Sequence, residues 1–381
     1  PPGRFFLSSV DQRRRFCKRK RRALTARDGK ARITTKEGCR MKRLFISGLL
    51  VAALMLAGCG VQTSAEGPSQ TREVYAMDTV MTLEAYGQNA DAALDEAVAE
   101  IERLDALWSI ASSDGEIARL NAEKQITASA DTLALLTRAK EISAATDGLF
   151  STTIAPLMEA WGFTSGDYRV PDEAELSALL ARVDDEEIAI ADSTVTIPAD
   201  AKVDLGGIAK GYTSQRVAQI MQEYDINSAI LNLGGNVQLV GAKPDGSSWK
   251  VAIKSPDEQE EYLGVLSAQN KAIITSGGYE RYFEENGRKY HHIIDPKTGI
   301  PAYNGLQSVT IVSEDGTLAD GLSTALYVMG TESAVKFWQN HSDEFDAILY
   351  TDDGNLYVTE GIADTFTSSH SITVLEKAVA F

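Results

Sequence analysis

Cysteine is almost missing from this chain: of 381 residues only Cys17, Cys39 and Cys59 carry a thiol, and none lies beyond residue 59. That excludes a disulfide framework for the body, and with it iron–sulfur or zinc sites built from cysteine sets. Histidine is nearly as scarce, with four residues: His291, His292, His341 and His370. Any metal the protein uses is therefore better matched to oxygen ligands. A membrane-spanning run is also lacking, because the apolar stretch from Leu44 to Leu56 has about 13 residues where a span needs roughly 20. Basic residues are few once the first 40 positions are set aside. Those positions hold 14 Lys/Arg against 3 Asp/Glu, which leaves 37 − 14 = 23 basic and 54 − 3 = 51 acidic residues, a net −28, for the remainder. So acidic a body argues against nucleic acid or an anionic lipid surface as its partner.

What the first residues do contain is an export pattern. Met41 opens a basic start (Lys42, Arg43), an apolar stretch and then Leu56-Ala57-Gly58-Cys59. That ending resembles a bacterial lipobox, in which Cys59 takes a diacylglyceryl group and becomes the first residue of the mature chain. Residues 1–40 then read as an upstream extension, 41–58 as signal peptide, and 59–73 as lipidated cysteine plus flexible tether. Residues 74–365 form the catalytic domain and 366–381 a tail. The alternative is an ordinary secretory signal with an incidental cysteine. An exported body without disulfides relies on its core, and roughly 320 residues suffice, since a domain of this size buries about three quarters of its unfolded surface.

Periodicity predicts helices over Asn89–Trp108, from an Asp131 N-cap to a stop at Gly148, after Gly207, and from near Thr317 through Met329. Strand patterns occur at Val80–Tyr86, Ser228–Leu233, Val237–Val240, Trp249–Ile253, Tyr262–Ser267, Ala272–Thr275 and Val309–Val312, with last hairpin strands at Ala347–Tyr350 and Leu356–Val358. Asn286-Gly287 marks a two-residue hairpin turn. Early helices followed by hairpins point to an α+β fold, one catalytic unit with room for two lobes around a cleft.

Two segments carry chemistry. Lys202 to Thr213 reads K-V-D-L-G-G-I-A-K-G-Y-T, a strand end turning through glycines into a helix, where backbone N–H groups and the helix field suit a phosphate. Ala319 to Thr324 reads A-D-G-L-S-T and puts Asp320 and Thr324 on one helical face, oxygen donors of the kind Mg²⁺ takes.

Nine short segments then converge: Met77-Asp78-Thr79, Trp108-Ser109 with Ile117–Asn121, Asp147–Phe150, Pro156 with Trp161–Phe163, Val203–Tyr212, Asn232–Asn236, Ser276-Gly277, His292–Pro296 with Thr298-Gly299, and Ala319–Thr324. In this order, from about Val74 to Thr359, the chain resembles the ApbE family of FAD:protein FMN transferases, whose architecture is T-fold-like. The resemblance implies an enzyme that binds FAD and, with Mg²⁺, moves FMN onto a threonine of an exported acceptor, releasing AMP. Subunits of the Na⁺-translocating quinone reductase or Rnf-type complexes are such acceptors. It implies FAD contacts from Met77, Leu149, Phe150, Ser151, Asp204, Lys210 and Ile294. The metal ligands it implies are the Gly207 carbonyl, Asp320, Ser323 and Thr324.

The general base is His292 or Asp320; the alternative for His292 is a strand residue capping the Asp295-Pro296 turn. Departures from the family pattern are Asp78 in place of Gly, Ser151 and Asn236 in place of Asp, and Ile110 where many members carry a flavin-contacting Tyr. Two other readings use the same residues: an FAD pyrophosphatase with water as nucleophile, and a non-catalytic flavin-binding lipoprotein. No residue set supports thiamine synthesis.

Overall fold

A computed structural model describes residues 69–378 apart from residue 258. The basic arm, the export signal and Cys59 lie outside the described residues. Nine strands form the main sheet: β1 (Ser69–Ala76), β2 (Thr79–Tyr86), β3 (Ser228–Leu233), β4 (Asn236–Gly241), β5 (Ala272–Gly277), β6 (Leu306–Ser313), β7 (Asp346–Thr351), β8 (Leu356–Thr359) and β9 (Ile372–Leu375). They lie across the sheet in chain order, antiparallel throughout except for the parallel β8–β9 pair. The α+β expectation holds.

The helices enter as insertions. Between β2 and β3 come α1 (Ala90–Trp108), α2 (Glu116–Glu123), α3 (Ala130–Ala145), α4 (Ala155–Ala160), α5 (Glu173–Leu180) and α6 (Ala209–Glu223). Between β6 and β7 come α7 (Gly316–Met329) and α8 (Thr331–Asn340). Strand alternation sorts the two faces of the sheet. Ala272, Ile274, Val309, Ile311, Ala347 and Leu349 face the helices, while Ile273, Val312 and Ile348 face a small sheet carrying Trp249, Val251 and Leu266. On α1, Leu94, Ala97, Ile101, Leu104 and Trp108 form the predicted buried stripe. Trp108 belongs to the core, its indole N–H donating to Thr132 Oγ1 at 3.0 Å.

Several boundaries differ from expectation. The segment read as tether up to residue 73 is already strand from Ser69, paired with β2 along its whole length. It looks polar because only Val74 and Ala76 are buried, and Arg72 turns outward to Asp91 and Asp95 at 2.5 and 2.8 Å. The expected tail holds β9 and the short strand Phe366–Thr367. On α3 the N-cap is Ser129, whose hydroxyl accepts from Thr132 N; Asp131 is drawn away by Arg103 at 2.6 Å and Tyr212 OH at 2.8 Å. The β1–β2 turn places Met77 and Asp78 at φ 49° and 59°, the left-handed pair that a two-residue hairpin turn requires. Asp78 thus stands where glycine would be free of strain.

Candidate active site

The site is built where α6 crosses α7. Both helices carry a glycine at the crossing. A Cβ on Gly211 would fall 2.2 Å from Gly316 O and 2.5 Å from Asp320 Cβ, and one on Gly316 would fall 2.9 Å from Gly211 O. Two backbones can approach this closely only without side chains. The approach delivers the Gly211 N–H to Asp320 Oδ2 at 2.7 Å.

The segment before α6 is not the strand that the sequence suggests. Residues 201–205 pair with no strand; at Val203 the Asn121 side chain takes a strand's place. Its Nδ2 donates to Val203 O at 2.8 Å and its Oδ1 accepts from Val203 N at 2.7 Å. One residue on, Asp204 N donates to Thr152 O at 2.8 Å, and Asp204 Oδ1 accepts from Gly206 N at 2.6 Å. That last bond occupies one of the glycine N–H groups expected to face a phosphate. Gly207 is exposed, and a Cβ there would sit 3.3 Å from the Phe150 ring. Replacing Asn121 by Ala would strand the Val203 N–H and C=O together, at about 1–3 kcal/mol for each buried group. Thermal melts should show the loss of stability, and weaker FAD binding should accompany it. A melt like that of the wild type would show that water replaces the amide.

Asp320 is 5% exposed. Burial pushes its carboxyl up from the ordinary value, against the pull of Lys210, Asn236 and the Gly211 N–H. Asn236 is near enough to favour the carboxylate, yet its Nδ2 is buried without a hydrogen bond of regular geometry. Among the described residues the one hydrogen bond of regular geometry to the Asp320 carboxylate comes from the Gly211 N–H, with the Asn236 amide close by. A buried carboxylate so thinly compensated fits a cation. Thr324, half-buried one turn later, lies on the same face of α7. Ser323 is fully buried and its hydroxyl bridges α7 to β5, lying 2.7 Å from Ser276 Oγ and donating to Asp320 O at 2.8 Å. It can offer a cation only a lone pair. No three His, Cys, Asp or Glu side chains gather as a metal cluster among the described residues. One carboxylate with a hydroxyl one turn away instead suits Mg²⁺, which completes its octahedron with phosphate, water and other neutral oxygens.

Lys210 and Glu280 interact with Asp320, and the Lys210 charge bears on both carboxyls and on His292. Glu280 is exposed and His292 half-exposed, yet surrounding chain desolvates both. Glu280 is pushed up by that desolvation, against Lys210 and Lys254. His292 is held down to about 3, by desolvation first and the Arg281 charge second. Its Nδ1 lies 3.1 Å from Arg281 O. A carbonyl only accepts, so Nδ1 carries the proton of the neutral ring and Nε2 keeps its lone pair. His291 has a structural place: it is buried, held down to about 4 mainly by desolvation, and bonds Ala302 O at 2.9 Å.

The other predicted contacts are dispersed around this centre. Met77 N donates to Asp105 Oδ1 at 3.0 Å, and its sulfur lies 3.8 Å from Thr213 Oγ1 on α6. The Leu149 and Phe150 N–H groups are both taken by Thr146, through its carbonyl and hydroxyl. These two residues therefore have no amide left for a ligand. The Ser151 hydroxyl is turned to Asp185 at 2.7 Å. The Ile294 side chain is core, packed with Leu157, Trp161 and Phe163, so only its backbone could meet a cofactor. Gly234 lets the chain pass close to β2, since a Cβ on it would fall 2.3 Å from the Thr79 side chain. Sequence reasoning passed over Gly211, Glu280 and Asp185. A third glycine inside a helix, at a cost of about 1 kcal/mol relative to alanine, was the one available signal for Gly211.

A nine-stranded sheet with two helices crossing at glycines, and an oxygen-lined carboxylate beside a lysine, defines the class. The chain belongs to the ApbE family, whose profile matches residues 77–349. Over 206 residues it is 34% identical to an FAD:protein FMN transferase of Klebsiella pneumoniae (strain 342), a match covering 53% of this chain and 63% of that protein, just under two thirds of its length. A Rhodobacter capsulatus protein of the same name is 31% identical over 358 residues, covering 88% of this chain and 67% of its own. The crystal structure of the ApbE protein of Thermotoga maritima superposes with a TM-score of 0.73 at 30% identity, covering 77% of this chain and 98% of that one. The flavin transferase ApbE of Vibrio cholerae gives 0.70 at 29% identity, covering 78% and 99%.

Proposed function

We propose that this protein transfers the FMN half of FAD to a threonine hydroxyl of an acceptor protein, releasing AMP. The observation that carries the reading is Asp320, buried with the Gly211 N–H as its one hydrogen-bond donor of regular geometry, one turn from Thr324 and under the charge of Lys210. Asp320, Thr324 and the Gly207 carbonyl would hold Mg²⁺, with Ser323 behind them. Bound there, the ion would supply Lewis acidity to the pyrophosphate oxygens. Lys210 adds a fixed positive charge for the same phosphates. The FAD contacts would come from Asp204, Met77, Lys210, the backbone carbonyls of Leu149 and Phe150, and the backbone of Ser151 and Ile294.

In the transfer the threonine oxygen bonds to the FMN phosphorus, the phosphorus–oxygen bond to the AMP phosphate breaks, and the hydroxyl proton goes to His292 Nε2. Neutral His292 is ready to accept it, and negative phosphate nearby raises its basicity. His292→Ala should lower kcat by about 10²–10⁴-fold while FAD affinity stays nearly unchanged. An equal loss of binding would make the residue structural.

The test of the function is incubation with FAD, Mg²⁺ and an acceptor bearing a candidate threonine. Covalent FMN on the acceptor supports transfer; rapid AMP release that ignores the acceptor would make the protein a pyrophosphatase instead. We also propose export, with Cys59 lipid-anchored to the outer face of the bacterial membrane, near acceptors such as Na⁺-translocating quinone reductase or Rnf subunits. Recovery of the mature protein in the soluble fraction with Cys59 unmodified would overturn that.

A further inference from the structure

Asp185 is 3% exposed and accepts five hydrogen bonds from three consecutive residues. Its Oδ1 takes Ser151 Oγ at 2.7 Å, Thr153 N at 2.9 Å and Thr153 Oγ1 at 2.8 Å. Its Oδ2 takes Thr152 N at 2.8 Å and Thr152 Oγ1 at 3.0 Å. The carboxylate is itself held from behind. Lys140 Nζ on α3 donates to the carbonyls of Asp185, Glu186 and Ile188 at 2.5, 3.0 and 2.7 Å. The three clamped residues are not idle core. Thr152 O accepts the Asp204 N–H at 2.8 Å, and Phe150, one residue before them, packs its ring against Gly207.

We infer that Asp185 is a positioning residue for nucleotide binding, fixing the 150–153 loop so that Asp204 and Gly207 are presented in register. The inference rests on the transferase reading for what is positioned, though the clamp itself does not. A carboxylate is the side chain that suits this task, since two backbone N–H groups and three hydroxyls all arrive as donors and carboxylate oxygens only accept. In Asp185→Asn one oxygen becomes an NH₂ that faces donors. The hydroxyls can rotate to accept from it, but a backbone N–H cannot, so either Thr152 N loses its acceptor or Thr153 N is left with only its longer bond to Ser151 Oγ, at 3.2 Å.

The experiment compares wild type with Asp185→Asn in two measurements. In steady-state transfer, KM for FAD should rise by about tenfold or more while kcat stays within about threefold, as loss of ground-state positioning requires. In amide hydrogen exchange, segments 150–153 and 203–207 should open selectively, with α1 and β6 protected as in wild type. Uniformly faster exchange with unchanged KM would make Asp185 a general stability residue and overturn the inference. If Asp185→Asn fails to fold, Thr153→Val, which deletes one of the five bonds, is read by the same two criteria. Should wild type neither bind FAD nor transfer FMN, the transferase reading fails, and the exchange pattern alone then decides the clamp.

Discussion

Replacing Asp320 by asparagine lowers FMN transfer by about a thousandfold or more and abolishes its response to Mg²⁺. A thousandfold corresponds to about 4 kcal/mol of lost transition-state stabilisation, in the range expected when the electrostatic centre of a phosphoryl-transfer site is removed. The amide keeps an oxygen for the Gly211 N–H, so the α6–α7 crossing survives. The same substitution should stabilise the metal-free protein near neutral pH. The fold holds this carboxyl above its ordinary value, chiefly by burial. A group raised in this way contributes stability fully below its unfolded pKa and loses it as pH rises through the folded value. Above the ordinary carboxyl range this upward shift is a net cost to the fold, and the amide, which does not titrate, removes it. A higher melting temperature together with dead transfer would mark a residue kept for function; transfer near wild type, or an intact Mg²⁺ response, would contradict the assignment.

Gly211→Ala should cost nearly as much, for a different reason. The new methyl would lie 2.2 Å from Gly316 O and 2.5 Å from Asp320 Cβ, and backbone on both helices must give way. Overpacking of this kind costs about 1–3 kcal/mol, occasionally more, and here the obstacle is main chain rather than a flexible tip. Any separation of the helices also moves Asp320 off the Gly211 N–H and away from the Asp204–Lys210 segment. A displacement of about 1 Å at such a site can lower the rate by about a hundredfold. Calorimetry and transfer assays on the same preparation should show both losses. A variant with wild-type melting and wild-type kcat would mean that the crossing has room the geometry denies.

The parts of this arrangement that follow local rules were legible in the chain. The stripe on α1, the Asn286-Gly287 turn and the one-turn spacing of Asp320 and Thr324 depend on residues a few positions apart. What stayed hidden depends on partners far along the chain. Asn121 replaces a strand for Val203 across 82 residues, and Gly211 reaches Asp320 across 109. No periodicity announces either contact. Asp185 sat in a run of acidic residues, Asp184 to Glu187, that reads as a solvated surface, yet only Asp185 turns inward. The Asp131 cap failed because Ser129, two residues earlier, supplies the oxygen that accepts the first-turn N–H of Thr132, while Arg103 and Tyr212 claim the aspartate. β1 was masked by its one-sided burial.

The central claim is that a cation bound at Asp320 joins the pyrophosphate of FAD to this site. Titration of FAD into the full-length protein, with and without Mg²⁺, for wild type and Asp320→Asn, tests it directly. Mg²⁺ should tighten FAD binding to wild type by about tenfold or more, through linkage between ion and ligand, and leave Asp320→Asn unmoved. Equal FAD affinity in all four titrations would contradict it.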